Sequence, residues 1–278
     1  MSVDSVRLDV ALADRGLARS RSEAASLVSE GQVLVNGRTA RKAGLRVSPS
    51  DRVELTHQGP RFVSRAGHKL HGALAVFTDV TPSGRRCLDA GASTGGFTDV
   101  LLRAGADTVL AVDVGHGQLV EELREDPRVQ VHEGLNIRDI TPEDVGGPVE
   151  LVVSDLSFIS LRLVLEALAA MSVPGADLVL MVKPQFEVGR SALPKGGVVR
   201  DPGERRRAVC GVVESALHAG LEPRGLARSP LPGQDGNVEF FLWLRRTTDP
   251  SVPAPATDAG AMTQRAQEWV AGWSVDWS

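Results

Sequence analysis

CLDAGASTGGFTDVLL, residues 87–102, sets the architecture: an apolar start ending in Asp89, a turn holding Gly91, Gly95 and Gly96, and an amphipathic run after it. The pattern predicts a strand over Arg86–Leu88, a tight turn over Gly91–Gly96 and a helix over Phe97–Ala104. Outward from this stretch the same alternation continues. Strands are expected at Thr108–Val112, ending at Asp113, at Val129–His132, at Leu151–Ser154, ending at Asp155, at Leu178–Val182, ending at Lys183, and at Val238–Leu244. Helices are expected over 116–124, 159–171 and 205–219. Strand–helix alternation of this kind gives an α/β fold with a doubly wound parallel sheet. Ligands then collect at the carboxyl ends of the strands, where Asp89, Asp113, Asp155 and Lys183 all fall.

The turn is neither of the common phosphate cradles. Its glycines lack G-x-G-x-x-G spacing, and no Gly-Lys-Ser/Thr follows. It still allows close backbone approach beside a helix N-terminus, and Asp113, at the end of the next expected strand, suits two vicinal ribose hydroxyls. A nucleoside-bearing cofactor without a pyrophosphate fits these features, and S-adenosylmethionine is such a compound.

A separate module precedes this domain. Residues 6–16 place Leu8, Ala11 and Leu12 on one helical face with Gly16 as a stop. Ser20 and Glu23 have capping-box spacing ahead of a helix through Ala24, Ala25, Leu27 and Val28 to Gly31. Val33 and Val35 alternate before the hairpin signal Asn36-Gly37, and a further strand is expected over Asp51–Leu55. Residues 1–70 carry twelve basic against seven acidic side chains, while the rest of the chain carries nineteen against twenty-eight. A basic first quarter on an acidic body points to an anionic partner held by this module. Each arginine alone reads as a solvated surface charge. As a set, Arg7, Arg19, Arg21, Arg41, Lys42 and Arg46 form a phosphate-binding surface around the Ser20 cap, where a helix N-terminus already favours an anion.

The stretch RLDVALADRGLARSRSEAASLVSEGQVLVNG, residues 7–37, resembles the S4 RNA-binding domain. Further on, SRAGHKL, CLDAGASTGGFTDVLL, AVDVGHGQL, SDLSFISL, VKPQFEVG, GGVVRD and SPLPGQDGNVEFFLWL resemble the TlyA family of RNA 2′-O-methyltransferases, of the FtsJ/RrmJ-like class. The resemblance implies a small α+β S4-like domain over 1–58, a linker over 59–69, a doubly wound, Rossmann-like class I methyltransferase domain over 70–246, and a Pro/Ala-rich tail over 247–278 with a short Trp-bearing helix. The class carries a Lys-Asp-Lys-Glu tetrad, and the matching positions are Lys69, Asp155, Lys183 and Glu239. It implies S-adenosylmethionine over Asp89, Gly91, Ala92, Ser93, Gly95, Gly96 and Phe97, with Asp113 and Val114 at the ribose end and Asp155 towards the sulfonium. RNA is expected on Arg7, Arg19, Ser20, Arg21, Arg41 and Lys42. The implied substrate is cytidine in ribosomal RNA, of the large subunit (23S) alone or of both subunits (23S and 16S), with the extensions at both ends favouring both. A monomer without a metal requirement is expected.

The residue types suit that reaction. A ribose 2′-OH is a poor nucleophile near neutral pH, and a lysine tuned by burial or by cationic neighbours could take its proton or stabilise the alkoxide. Lys183, after an apolar strand, is the choice for that role, with Lys69 the second cation and Asp155 and Glu239 balancing the two. Base N-methylation usually carries an Asn/Asp-Pro-Pro-aromatic motif where this chain has Lys183-Pro184-Gln185-Phe186. Cytosine C5-methylation needs a cysteine nucleophile, whereas Cys87 and Cys210 read as small apolar residues inside a strand and a helix.

The alternative function is a haemolysin-like membrane-active protein, a label carried within the same family. No run of 18 apolar residues and no basic amphipathic helix supports it. Trp269, Trp273 and Trp277, spaced by four, read as a small stripe that docks on the domain or belongs to a loose tail. MSVDSVRLDV lacks the apolar core of a secretory leader, and two cysteines make no disulfide framework, so a cytoplasmic setting is expected.

Overall fold

The computed structural model describes residues 5–18, 21–29, 31–56, 62–189, 193–247 and 259–278. The chain divides into two compact units, Met1–Arg61 and Phe62–Ser278.

In the first unit, β1 (Val6–Arg7) leads into α1 (Leu8–Asp14), followed by α2 (Arg21–Ser29), β2 (Val33–Val35), β3 (Arg38–Thr39), β4 (Arg46–Val47) and β5 (Val53–Leu55). Strands β3, β2 and β5 form one antiparallel sheet, and β1 pairs with β4. Asn36 and Gly37 take φ of 51° and 76°, the left-handed pair that a two-residue hairpin turn requires. Leu8, Ala11, Leu12, Ala24, Val28, Val33, Val47 and Val53 make the core. Arg19, Ser20 and with them the expected capping box lie outside the described residues.

The second unit opens with α3 (Arg65–Val76) and continues β6 (Arg86–Ala90), α4 (Gly96–Arg103), β7 (Thr108–Asp113), α5 (Glu121–Arg124), β8 (Val129–Glu133), β9 (Val149–Ser154), α6 (Leu165–Ala170), β10 (Ser172–Val182), α7 (Pro184–Glu187), α8 (Pro202–His218), β11 (Leu221–Arg228), β12 (Phe240–Arg246) and α9 (Ala259–Ala271). The sheet order is β11-β12-β10-β9-β6-β7-β8, parallel from β10 through β8, with β12 antiparallel to both β10 and β11. Alternation along each strand divides the core into two faces. Cys87, Val109, Leu151, Val153, Val179, Met181 and Phe241 pack under α3 and α4. Leu88, Leu110, Val152, Leu180, Val182, Phe240 and Leu242 pack under α6, α8 and α9.

Several expectations need correction. The linker expected over 59–69 overlaps the second unit, because α3 starts at Arg65 and takes in Lys69. Gly67 is there for space: a Cβ on it would lie 2.4 Å from Phe62 Cβ and 3.0 Å from the Gly96 carbonyl. The helix expected over 116–124 shrinks to α5, since Gly117 sits at φ 64°, outside helical backbone. The helix expected over 159–171 divides into a 3-10 turn, Leu161–Leu163, and α6. The tryptophan stripe is no continuous helix, as α9 ends at Ala271 with Trp273 and Trp277 beyond it.

Candidate active site

The tetrad is built where β9, β10, β12 and α3 converge. In the antiparallel pair of β10 with β12, Val182 lies opposite Phe240, so the next residue along each strand, Lys183 and Glu239, leaves the sheet on the α3 side. The Lys69 ammonium, brought in by α3, donates to Glu239 Oε2 at 2.6 Å and reaches Met181 Sδ at 3.8 Å. Both side chains are buried, 7% and 2% exposed. Asp155 follows the last residue of β9, and its Oδ1 meets Lys183 Nζ at 2.7 Å. That contact is an ion pair without hydrogen-bond alignment; the aligned bond of Lys183 goes to Ser157 Oγ at 2.8 Å. The four tetrad residues therefore form two lysine–carboxylate pairs.

Beside them, Phe158 stands at φ 65° and 92% exposure, its ring 5.5 Å from that of Phe186. Glu187 ties the two loops together, accepting from Ser160 Oγ at 2.5 Å and from the Leu161 N–H at 2.8 Å. Burial raises its carboxyl above the usual range, against the lowering effect of those two bonds. Ser157 and Glu187 lie inside the stretches SDLSFISL and VKPQFEVG, and Met181 reads as strand core, but only the fold brings them to the lysines and their loops.

The expected cofactor residues divide by role. Asp113 Oδ2 accepts from the Ser93 N–H at 2.9 Å and Oδ1 from the Gly115 N–H at 2.7 Å, which fixes the turn against the end of β7. Ser93 is left-handed at φ 48°, and Val114, next to Asp113, is 65% exposed. Gly91, at φ 87°, lets the end of β9 approach: a Cβ there would meet the Asp155 carbonyl at 3.2 Å. Gly95 and Gly96 serve packing. A Cβ on Gly95 would run into Leu123, whereas one on Gly96 would lie 3.0 Å from the Gly67 nitrogen, so Gly96 with Gly67 lets α3 carry Lys69 up to the turn. The side chains of Ala92 and Phe97 are core, Phe97 facing Phe241 with ring centroids 6.1 Å apart, which leaves only their backbone to a ligand.

Asp89 is fully buried; its Oδ2 accepts from Thr98 Oγ1 at 2.7 Å, while Oδ1 has no protein partner. Burial pushes its carboxyl up to about 7, partly opposed by the bonds from Thr98. Between the unfolded value near 4 and about 7, the folded chain holds a proton that the unfolded chain releases, so this group makes stability fall as pH rises. Asp89→Asn should remove that slope. Relative to wild type, the variant is expected to gain about 1–2 kcal/mol between pH 5 and pH 7, read from urea unfolding at both.

In the first unit, Asp9 organises the arginines. Its carboxylate accepts from Arg7 Nε and a terminal nitrogen at 3.0 and 2.9 Å and lies 3.5 Å from Arg21. The Arg7 guanidinium holds it down to about 2. Arg7, Arg21, Arg41 and Lys42 are all exposed. Among the described residues, no cluster of three or more His, Cys, Asp or Glu could hold a metal ion, and no helix is long and apolar enough to cross a membrane.

A glycine turn, an acidic end to the next strand and paired lysines at one sheet edge define a methyltransferase of the FtsJ-like type. Residues 62–246 match the FtsJ-like methyltransferase family and residues 6–53 the S4 domain. The chain belongs to the TlyA family. It is 52% identical over 249 residues, 89% of this chain and 92% of the relative, to the 16S/23S rRNA (cytidine-2′-O)-methyltransferase TlyA of Mycobacterium tuberculosis. A solved structure described as a haemolysin, from Streptococcus thermophilus, is 39% identical with TM-score 0.70, covering 96% of this chain and 97% of that one. A protein described as an S-adenosylmethionine-dependent methyltransferase, from Listeria monocytogenes, shares the fold at TM-score 0.50 and 16% identity, over 66% of this chain and 98% of that one. The haemolysin label thus sits on the same fold, and the membrane-active alternative is not favoured.

Proposed function

We propose that this chain transfers the methyl group of S-adenosylmethionine to the 2′-oxygen of a cytidine in ribosomal RNA, in the cytoplasm. The observation that carries the reading is the pair of lysine–carboxylate contacts, Lys69–Glu239 and Lys183–Asp155, side by side at the carboxyl edge of the sheet. The residues present fit the cofactor. Asp89 Oδ1 and Ser154 Oγ are buried polar atoms without partners at the ends of adjacent strands, and Asp113 has lone pairs left for hydroxyl donors. When bound, S-adenosylmethionine supplies an activated methyl carbon on a sulfonium.

The chain's own residues do the rest. Asp155 and Ser157 fix the Lys183 nitrogen, and Glu239 fixes that of Lys69. With the cofactor bound, Lys183 in its neutral amine form, its own proton having first passed to Asp155 or to solvent, would take the 2′-OH proton while the methyl group passes to that oxygen. Lys69 stabilises the charge on the oxygen. Holding the two reacting atoms in line supplies much of the rate. Specificity for cytidine, and action on both subunits, are supported by the name of the 52%-identical relative.

The direct test is mass mapping of 2′-O-methylcytidine in 16S and 23S RNA from cells with and without the protein. A methyl on both RNAs that depends on the protein is expected, and no dependence on either rejects the reading.

Recognition and chemistry are expected to separate. Arg19→Glu with Arg21→Glu should weaken ribosomal-subunit binding at low salt by about tenfold or more and leave the second unit folded. The deficit should shrink as salt rises, since counterion release drives phosphate contacts. Wild-type binding by the double variant in filter assays at low salt would remove the S4 unit as the RNA grip.

A further inference from the structure

Behind Glu239, on the opposite face of the sheet, the segment after α9 closes over the start of β12. The Trp277 ring lies 4.8 Å from that of Phe240, the residue that follows Glu239. Phe240 is fully buried in the core under α6, α8 and α9, whereas Glu239 points to the α3 side. The Trp277 carbonyl accepts from an Arg205 terminal nitrogen at 2.5 Å, and Arg205 Nε donates to the Val199 carbonyl at 3.0 Å.

From Val199 the bonds run back to the catalytic loop. The Val199 N–H donates to Asn237 Oδ1 at 3.0 Å, and Asn237 Nδ2 donates to the Gly197 carbonyl at 3.0 Å. Asn237, 2% exposed, stands two residues before Glu239. Asp276 pairs with Arg228, which lies opposite Phe240 in the β11–β12 register. The Ser229 N–H donates to the Glu239 carbonyl at 2.8 Å. Trp277, Asp276 and Arg205 therefore all bear on Asn237–Phe240. Arg205 is a buried cation, 6% exposed, whose two described hydrogen bonds go to main-chain carbonyls, one of them from Trp277.

We propose that Trp277, acting with Arg205, is a positioning residue for methyl transfer, bracing the start of β12 so that Glu239 holds the Lys69 ammonium in place. The proposal rests on the catalytic reading of Glu239 given above. Trp277 touches none of the reacting groups; it acts through Phe240 and the loop before it.

The test uses the full chain with Trp277→Ala, Trp277→Leu, Trp277→Phe and Glu239→Gln. Each is assayed for kcat and KM towards S-adenosylmethionine and ribosomal subunits from cells lacking the protein, below its thermal midpoint. Trp277→Ala is expected to lower kcat about tenfold, as small displacements of a catalytic group do, with both KM values within about twofold of wild type. Trp277→Leu keeps apolar bulk over Phe240, so it carries the test if the alanine variant does not fold; a loss of about threefold or more is expected. Trp277→Phe restores the ring and should return kcat to within about twofold of wild type. Glu239→Gln should lose about a hundredfold or more.

A kcat within twofold of wild type for Trp277→Leu, or KM values that rise in step with the loss of kcat, would overturn the bracing role while leaving Glu239 catalytic. Wild-type turnover by Glu239→Gln would overturn both readings.

Discussion

Lys183→Ala is expected to abolish methyl transfer while binding of RNA and of S-adenosylmethionine persists. Lys183 stands at the end of β10, its nitrogen fixed by Asp155 at 2.7 Å and Ser157 at 2.8 Å. A positioned proton acceptor is worth about 10²–10⁴ in rate, so its loss lowers turnover beyond ready detection without removing a grip on either ligand. Lys183→Arg separates two forms of the mechanism. Arginine keeps the charge but does not deprotonate near neutral pH, so a proton-accepting role makes it as inactive as alanine, whereas a purely electrostatic role leaves residual turnover. Tritium transfer from the methyl donor to subunit RNA measures both, and turnover retained by Lys183→Ala rejects the role assigned to this lysine.

The Lys69–Glu239 pair should have the largest effect on stability. At 2.6 Å, with side chains 7% and 2% exposed, it is a desolvated ion pair. Removing one partner leaves an uncompensated buried charge, and Glu239→Ala is expected to cost about 3–5 kcal/mol. Replacing both partners with apolar side chains removes the two desolvation penalties together. Lys69→Met with Glu239→Leu should therefore recover most of that loss in urea unfolding and still transfer no methyl group. A double variant as unstable as Glu239→Ala would show that the pair stabilises the fold itself.

The ends of the central strands were legible because each is an apolar run closed by a polar residue, and Asp89, Asp113, Asp155 and Lys183 stand there as expected. The partners of the tetrad were not. Which carboxylate meets which lysine depends on the antiparallel placement of β12 beside β10, a long-range choice that no local pattern encodes. Strand β11 escaped the reading for a different reason: LEPRGLAR carries Pro223, Gly225 and two arginines, a composition that an edge strand paired on one side tolerates. Gly95 and Gly96, expected at the cofactor, also sit where Leu123 and Gly67 leave little room for a Cβ, which the sequence did not show. Asp9 was hidden because an acidic residue beside an arginine reads as surface charge, whereas here it is buried and paired with Arg7 and Arg21.

The insertion of β12 between β10 and β11 also has a temporal consequence. Lys69 and Glu239 are 170 residues apart in the chain, so this contact forms late and slowly. During synthesis, β10 emerges with an unpaired apolar edge over Leu178–Val182, and β11 follows with no neighbour of its own, until Phe240–Arg246 leave the exit tunnel. A nascent chain stopped short of residue 239 thus exposes an aggregation-prone edge and lacks half of the Lys69–Glu239 pair. On the role proposed for Glu239, methyl transfer has to wait until translation of this domain is nearly finished.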